Sequence, residues 1–90
     1  MSNLYLVDQP FAGNALALAA DDADALVVLI QDGVYADLSP LAGKNKLPVY
    51  GIDRDIERRG LGKRLEKTVQ PIGFDKLVDL IVDHKVINFA

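Results

Sequence analysis

Five unbroken apolar residues, Leu26 to Ile30, run directly into Gln31-Asp32-Gly33. An apolar run of that length closed by turn residues reads as a strand buried on both faces. The polar residues then fall at its carboxyl end. In open α/β sheets that end is where ligands and partners are met.

The rest of the chain supplies layers for such a strand. Asn3 to Val7 reads as a first short strand, interrupted by Gln9-Pro10, because proline cannot sit inside a central ladder. Phe11 to Ala20 is rich in alanine and leucine and predicts a helix. Asp21-Asp22 belongs to the turn after it, since carboxylates near a helix C-terminus oppose its dipole. The central strand is Ala25 to Ile30. Val34 to Leu38 reads as a short helix after Gly33, and Ser39-Pro40 and Gly43 to Lys46 as polar connections. Leu47 to Ile52 is a third strand, favoured by Val49 and Tyr50. Asp53 is placed as the N-cap of a charged helix, Arg54 to Arg59, which Gly60 can end. Residues 61–68 read as a polar connection and Thr68 to Ile72 as a strand. After Gly73, the residues Phe74, Leu77, Val78, Ile81 and Val82 recur at spacings of three and four, one apolar face of a helix. Val86 to Phe89 is a last short strand. Alternation of this kind predicts a small three-layer α/β sandwich: a mostly parallel sheet of about five strands with helices on both faces and right-handed crossovers.

Ninety residues make a single domain, 1–90. Half of them are apolar, and surplus apolar surface on a small chain goes into an oligomer interface. There is no cysteine, which excludes disulfides, thiolate catalysis, zinc–thiolate sites and iron–sulfur clusters for this chain. No apolar run approaches the ~18 residues of a membrane span, and Met1 to Pro10 lacks the basic and long apolar regions of a signal peptide. The expected location is the cytoplasm. The net charge of −3 is uneven: residues 1–43 hold six acids and no base, whereas residues 44–90 hold ten bases and seven acids. Arg54, Arg58, Arg59, Lys63, Arg64 and Lys67 give the stretch 54–67 a local excess able to steer an acidic partner. A solvated face with internal ion pairs is the simpler account. No aromatic residue interleaves with these bases to stack a nucleobase.

Catalytic and cofactor sets are weak throughout. No phosphate-binding glycine motif follows a strand; Gly60-Leu61-Gly62-Lys63 follows a helix, which is the wrong context, and reads as a mobile surface loop. Ser39 and His84 make no triad, and His84, near a helix end, suits a capping role. Asp21, Asp22 and Asp24 lack calcium-loop spacing and read as a solvated acidic turn. No metal and no cofactor are expected. The remaining candidate is Asp32-Gly33-Val34-Tyr35. Gly33 allows positive φ or a close backbone approach, Asp32 can cap the next short helix, and Tyr35 offers an apolar body with a hydroxyl. These residues support a structural turn and a partner-contacting edge equally. An enzyme using Asp32 and Tyr35 as acid and base lacks a nearby histidine.

Four segments, in order, resemble the DsrH/TusB family of sulfur-relay proteins: Leu4 to Phe11 (LYLVDQPF), Ile30 to Ala36 (IQDGVYA), Val49 to Leu61 (VYGIDRDIERRGL) and Ile72 to Phe89 (IGFDKLVDLIVDHKVINF). The resemblance implies a DsrE/F/H-type α/β sandwich. It also implies a hetero-hexamer with related DsrE/TusD-like and DsrF/TusC-like subunits that passes persulfide sulfur. In one branch the sulfur reaches the 2-thio group of wobble uridine in transfer RNA; in another the complex serves dissimilatory sulfur oxidation. Some family members carry a cysteine in the first helix, where this chain has Ala15, Leu16, Ala17 and Leu18. None of these can form a persulfide, which requires a thiolate. The expectation is a non-catalytic subunit for transfer-RNA thiolation, with Asp32, Gly33, Tyr35, Arg58 and Arg59 as partner contacts and no direct contact with transfer RNA. The alternatives are a stand-alone homo-oligomeric module that binds a small ligand or a protein on the same fold, or a subunit of a dissimilatory sulfur-oxidation complex.

Overall fold

The computed structural model describes residues 3–9, 11–36, 38, 48–65 and 68–90. Strands β1 (Asn3–Val7), β2 (Ala25–Leu29), β3 (Val49–Ile52), β4 (Gln70–Ile72) and β5 (Lys85–Phe89) form one parallel sheet in the order β4-β3-β2-β1-β5. Helices α1 (Ala12–Ala20), α2 (Asp53–Arg58), α3 (Gly62–Leu65) and α4 (Phe74–Asp83) connect them, with a tight 3-10 turn at Gln31–Tyr35. The fold is the expected α/β sandwich. All five residues of β2 are buried, as the apolar run requires of a central strand.

The two faces of the sheet are covered unequally. On the first, Tyr5, Val7, Val27 and Leu29 pack against Ala12, Ala15, Leu16 and Ala19 of α1 and Ile56 of α2. Alanines let α1 lie close to the sheet. On the second face, among the described residues, Leu4, Leu26, Val28, Ile52 and Ile72 pack against Leu77 and Leu80 of α4. The chain steps outward from β1 to β4, then returns across the sheet to β5. Crossovers of one hand must therefore place α4 opposite α1 and α2.

Several boundaries move. Ser39, Pro40 and Gly43 to Leu47 lie outside the described residues, as does Pro10. The short helix after β2 begins at Gln31 rather than Val34. Asp53 is not an N-cap: Ile52 holds that position with no side-chain cap, and Asp53 is the first helical residue. Gly60 does end α2, at φ +67°. Residues 62–65 form a helical turn instead of polar connection, and Leu61 beside it is buried in the first core. Gly60-Leu61-Gly62 is thus an anchored helix–helix turn rather than a loose loop. The α4 stripe is the largest departure, because Phe74, Val78, Ile81 and Val82 remain exposed while Leu80 is buried.

Candidate functional site

The site is assembled where parallel strands end. β3 exits into α2 on one face and β4 exits into α4 on the other. Loops that part in this way leave a crevice at the carboxyl ends of the strands. A cleft of about 440 Å³ occupies it. Its floor is apolar, built from Leu6, Ile30, Ile52 and Leu77, with Phe74 at one side. Its rim is polar: Gln31, Arg54, Asp55, Arg58 and Arg59.

One ionic network fixes the rim. Arg59 reaches Asp32 Oδ1 through Nη2 at 3.0 Å and donates from Nε to the same oxygen at 3.1 Å. Its Nη1 lies 3.4 Å from Asp55 Oδ1, and its guanidinium sits 6.0 Å from the centre of the Tyr35 ring. The other Asp55 oxygen, Oδ2, accepts the Gln31 N–H at 2.7 Å. Arg59 and Asp55 are largely shielded, with 19% and 15% of their side chains exposed, whereas Asp32 is 65% exposed. The Asp55 pair therefore keeps more of its strength against solvent than the Asp32 pair, which is worth about 0.2–1 kcal/mol.

The expected residues thus divide. Asp32, Tyr35 and Arg59 come together, while Arg58 stands apart on the cleft rim. Asp32 caps nothing; it pairs with Arg59, and Ile30 occupies the N-cap of the 3-10 turn without a side-chain bond. Gly33 is buried and its φ is not positive. Its role is close approach: a methyl group there would overlap the Val7 carbonyl oxygen and lie 3.0 Å from the Val7 carbonyl carbon. Gly33 N–H donates to the Ile30 carbonyl at 2.7 Å and to Asp8 Oδ1 at 3.1 Å. The left-handed residue of the turn is Gln31, at φ +49°. Sequence inspection missed Asp8, Gln31 and Asp55. Only Asp55 left a signal, its spacing of four from Arg59 on a helix.

This arrangement does not favour bond chemistry. The Asp55 and Asp32 carboxylates are both engaged by one guanidinium. Among the described residues, no group of three or more histidines or carboxylates is placed to hold a metal ion, and no helix is long and apolar enough to cross a membrane. His84 caps α4, its Nδ1 donating to the Leu80 carbonyl at 2.7 Å. Asp22 is not simply solvated. It accepts from Asn3 Nδ2 at 2.7 Å, Tyr5 Oη at 3.1 Å and the Asp24 N–H at 3.0 Å, tying the turn after α1 to β1. The Asn3 bond, then the Asp24 bond, hold its carboxyl below the ordinary value. Burial, reinforced by the Asp22 bond, pushes the Tyr5 phenol up.

The family model described as DsrH like protein matches residues 10–87, a span that includes the turn and every named cleft residue except Leu6. The chain belongs to the DsrH family. Among curated DsrH relatives it is 34% identical to Protein TusB of Pectobacterium carotovorum subsp. carotovorum (strain PC1), over 79% of each chain. It is 32% identical to Protein TusB of Pectobacterium atrosepticum, again over 79% of each chain. No solved structure matches this chain. Within the matched span, Gln31-Asp32-Gly33-Val34 forms the turn that Arg59 holds, at the mouth of the cleft.

Proposed function

We propose that this DsrH-family chain is a non-catalytic subunit of a cytoplasmic persulfide-relay complex serving 2-thiolation of wobble uridine in transfer RNA. Family membership across residues 10–87 carries the reading. Persulfide transfer requires a thiolate to accept sulfur, and this chain contains no cysteine. In the stretch of α1 where the resemblance places a cysteine in some members, Ala15 and Leu16 are buried and Ala17 and Leu18 point outward. The acceptor thiol must then belong to DsrE-like or DsrF-like sister subunits, two copies of each joining two copies of this chain. Asp32, Tyr35, Arg58 and Arg59 would meet a sister subunit, and Gly33 would act through the turn it shapes.

Co-expression with the DsrE-like and DsrF-like proteins of the same genome tests this. The three chains are expected to purify together in equal amounts, and loss of this chain is expected to deplete 2-thiouridine in transfer RNA. Recovery of the chain alone, with no sister subunit, would remove the reading's support.

A further inference from the structure

Helix α4 offers more apolar surface than this chain uses. Leu77 and Leu80 lie on the sheet, but Phe74, Val78 and Ile81 on the adjoining strip are 56%, 57% and 39% exposed. Phe74 heads that strip and also lines the cleft. At about 1.5 Å per residue, the strip carries the apolar surface roughly 10 Å from the cleft along the helix. At the cleft itself stand Arg54 and Arg58, four residues apart and so on one side of α2. Neither forms an ion pair among the described residues, whereas Arg59 is held by Asp32 and Asp55. Among the described residues the single acid of the lining, Asp55, is already engaged by Arg59. Two free guanidinium groups therefore stand over an apolar floor, in a chain whose formal net charge is −3.

We propose that this surface receives a segment of a partner protein whose carboxylate side chain enters the cleft between Arg54 and Arg58, with adjoining apolar side chains along Phe74, Val78 and Ile81. Charge complementarity selects the carboxylate, and the planar guanidinium groups suit it geometrically. A free small anion would leave the strip uncovered; continuity of cleft and strip calls for a polypeptide. Asp75 and Asp79 lie on the exposed flank of α4, so a second acid on the docked segment beside them would be repelled. The inference rests on the proposed membership in a complex and adds where the partner docks and what it presents.

The direct test is a titration of the isotope-labelled chain, followed by NMR, with two blocked peptides. One is acetyl-Glu-Leu-Ser-Leu-Ser-Leu-amide; the other has lysine in place of the glutamate. The acidic peptide is expected to shift the signals of Arg54, Arg58, Phe74 and Val78 and to bind about tenfold tighter than its lysine counterpart, a difference of about 1.4 kcal/mol. The double variant Arg54→Glu/Arg58→Glu, whose fold the same spectra verify, should reverse that preference. Equal binding of both peptides, absence of binding, or shifts confined to other surfaces would overturn the proposal. In the co-expressed complex the double variant should lower recovery of the sister subunits about tenfold; undiminished recovery overturns the docking site while leaving the sulfur-relay reading intact. If the unaltered chain recovers no sister, that reading falls and the peptide titration decides the docking site.

Discussion

Replacing Gly33 with alanine should unsettle the whole turn at the cleft mouth. The added methyl would overlap the Val7 carbonyl oxygen and approach the Val7 carbonyl carbon to 3.0 Å and Asp8 Cα to 3.1 Å. Carbon–carbon contact is comfortable only beyond about 3.5 Å, and every atom in the way is backbone, with no rotamer to yield. The same Val7 oxygen accepts the Ile30 N–H at 2.9 Å, and Asp8 Oδ1 accepts Gly33 N–H at 3.1 Å. Moving the turn far enough to relieve the clash stretches both bonds. Overpacking costs about 1–3 kcal/mol, and each hydrogen bond lost adds about 1 kcal/mol, giving a loss of roughly 2–5 kcal/mol. For a domain of this size each kcal/mol lowers Tm by about 4–8 °C, so the variant should melt at least about 8 °C lower by far-ultraviolet circular dichroism. Gly13→Ala is the control. Nothing lies within 4 Å of a methyl group there, and in the first turn of α1 alanine should leave Tm unchanged or raise it slightly, by about 0.5 kcal/mol of stability. If Gly33→Ala melts within about 2 °C of the parent, the close approach to β1 is wrong, and the glycine must be explained by contact with a partner instead.

Arg59→Ala should lose about 1–3 kcal/mol in urea unfolding, because it leaves the shielded Asp55 carboxylate without its counter-ion; Asp32→Asn, at the solvent-exposed end of the network, should lose less than about 1 kcal/mol, and equal losses would contradict the unequal burial of the two pairs. The lowered pKa of Asp22 means that the folded state binds its proton less readily than the unfolded chain. This contribution is complete above the unfolded aspartate value and is lost as pH falls through the folded one. Asp22→Asn should therefore show a shallower drop in Tm on acidification than the parent, and parallel curves would deny Asp22 its part. The Tyr5 phenol runs the other way. Its raised pKa gives stability that is whole below the unfolded tyrosine value and lost as pH rises through the folded one, a loss that Tyr5→Phe should remove from alkaline melting curves.

Local pattern announced the elements whose neighbours are one another. The apolar run of Leu26 to Ile30 could only be a central strand, and the strand ends on either side of it came out within two residues. Long-range polar contacts left no such trace. Asp55 meets Gln31 across 24 residues and Asp8 meets Gly33 across 25, and no spacing rule predicts which carboxylate a backbone N–H of the turn will find. The pair Arg58-Arg59 looked alike in sequence, yet a step of one residue, about 100° around the helix axis, separates their fates: Arg59 turns into the network, and Arg58 faces the cleft. The stripe on α4 shows a different limit. Periodicity identifies an apolar helix face but does not say whether that face meets the chain's own sheet or another molecule. Here Leu77 and Leu80 meet the sheet while Val78 and Ile81 do not.

The unequal use of the arginines bears on what a thiol-free chain of this family can contribute. A docking surface binds more tightly when its geometry is set before the partner arrives, because less ordering remains to be done on contact. Gln31 adopts a left-handed backbone, at φ +49°, which costs a non-glycine residue about 1 kcal/mol. The bond from its N–H to Asp55 at 2.7 Å offsets that cost, and Arg59 in turn fixes Asp55. One arginine is thus consumed in holding the turn rigid, and the two beside it stay available over an apolar floor. A surface selected only for folding would more simply neutralise all three. Keeping Arg54 and Arg58 without an ion pair among the described residues, beside a braced turn and an exposed helix strip, is the pattern expected when the remaining counter-ion and the remaining apolar cover come from another chain.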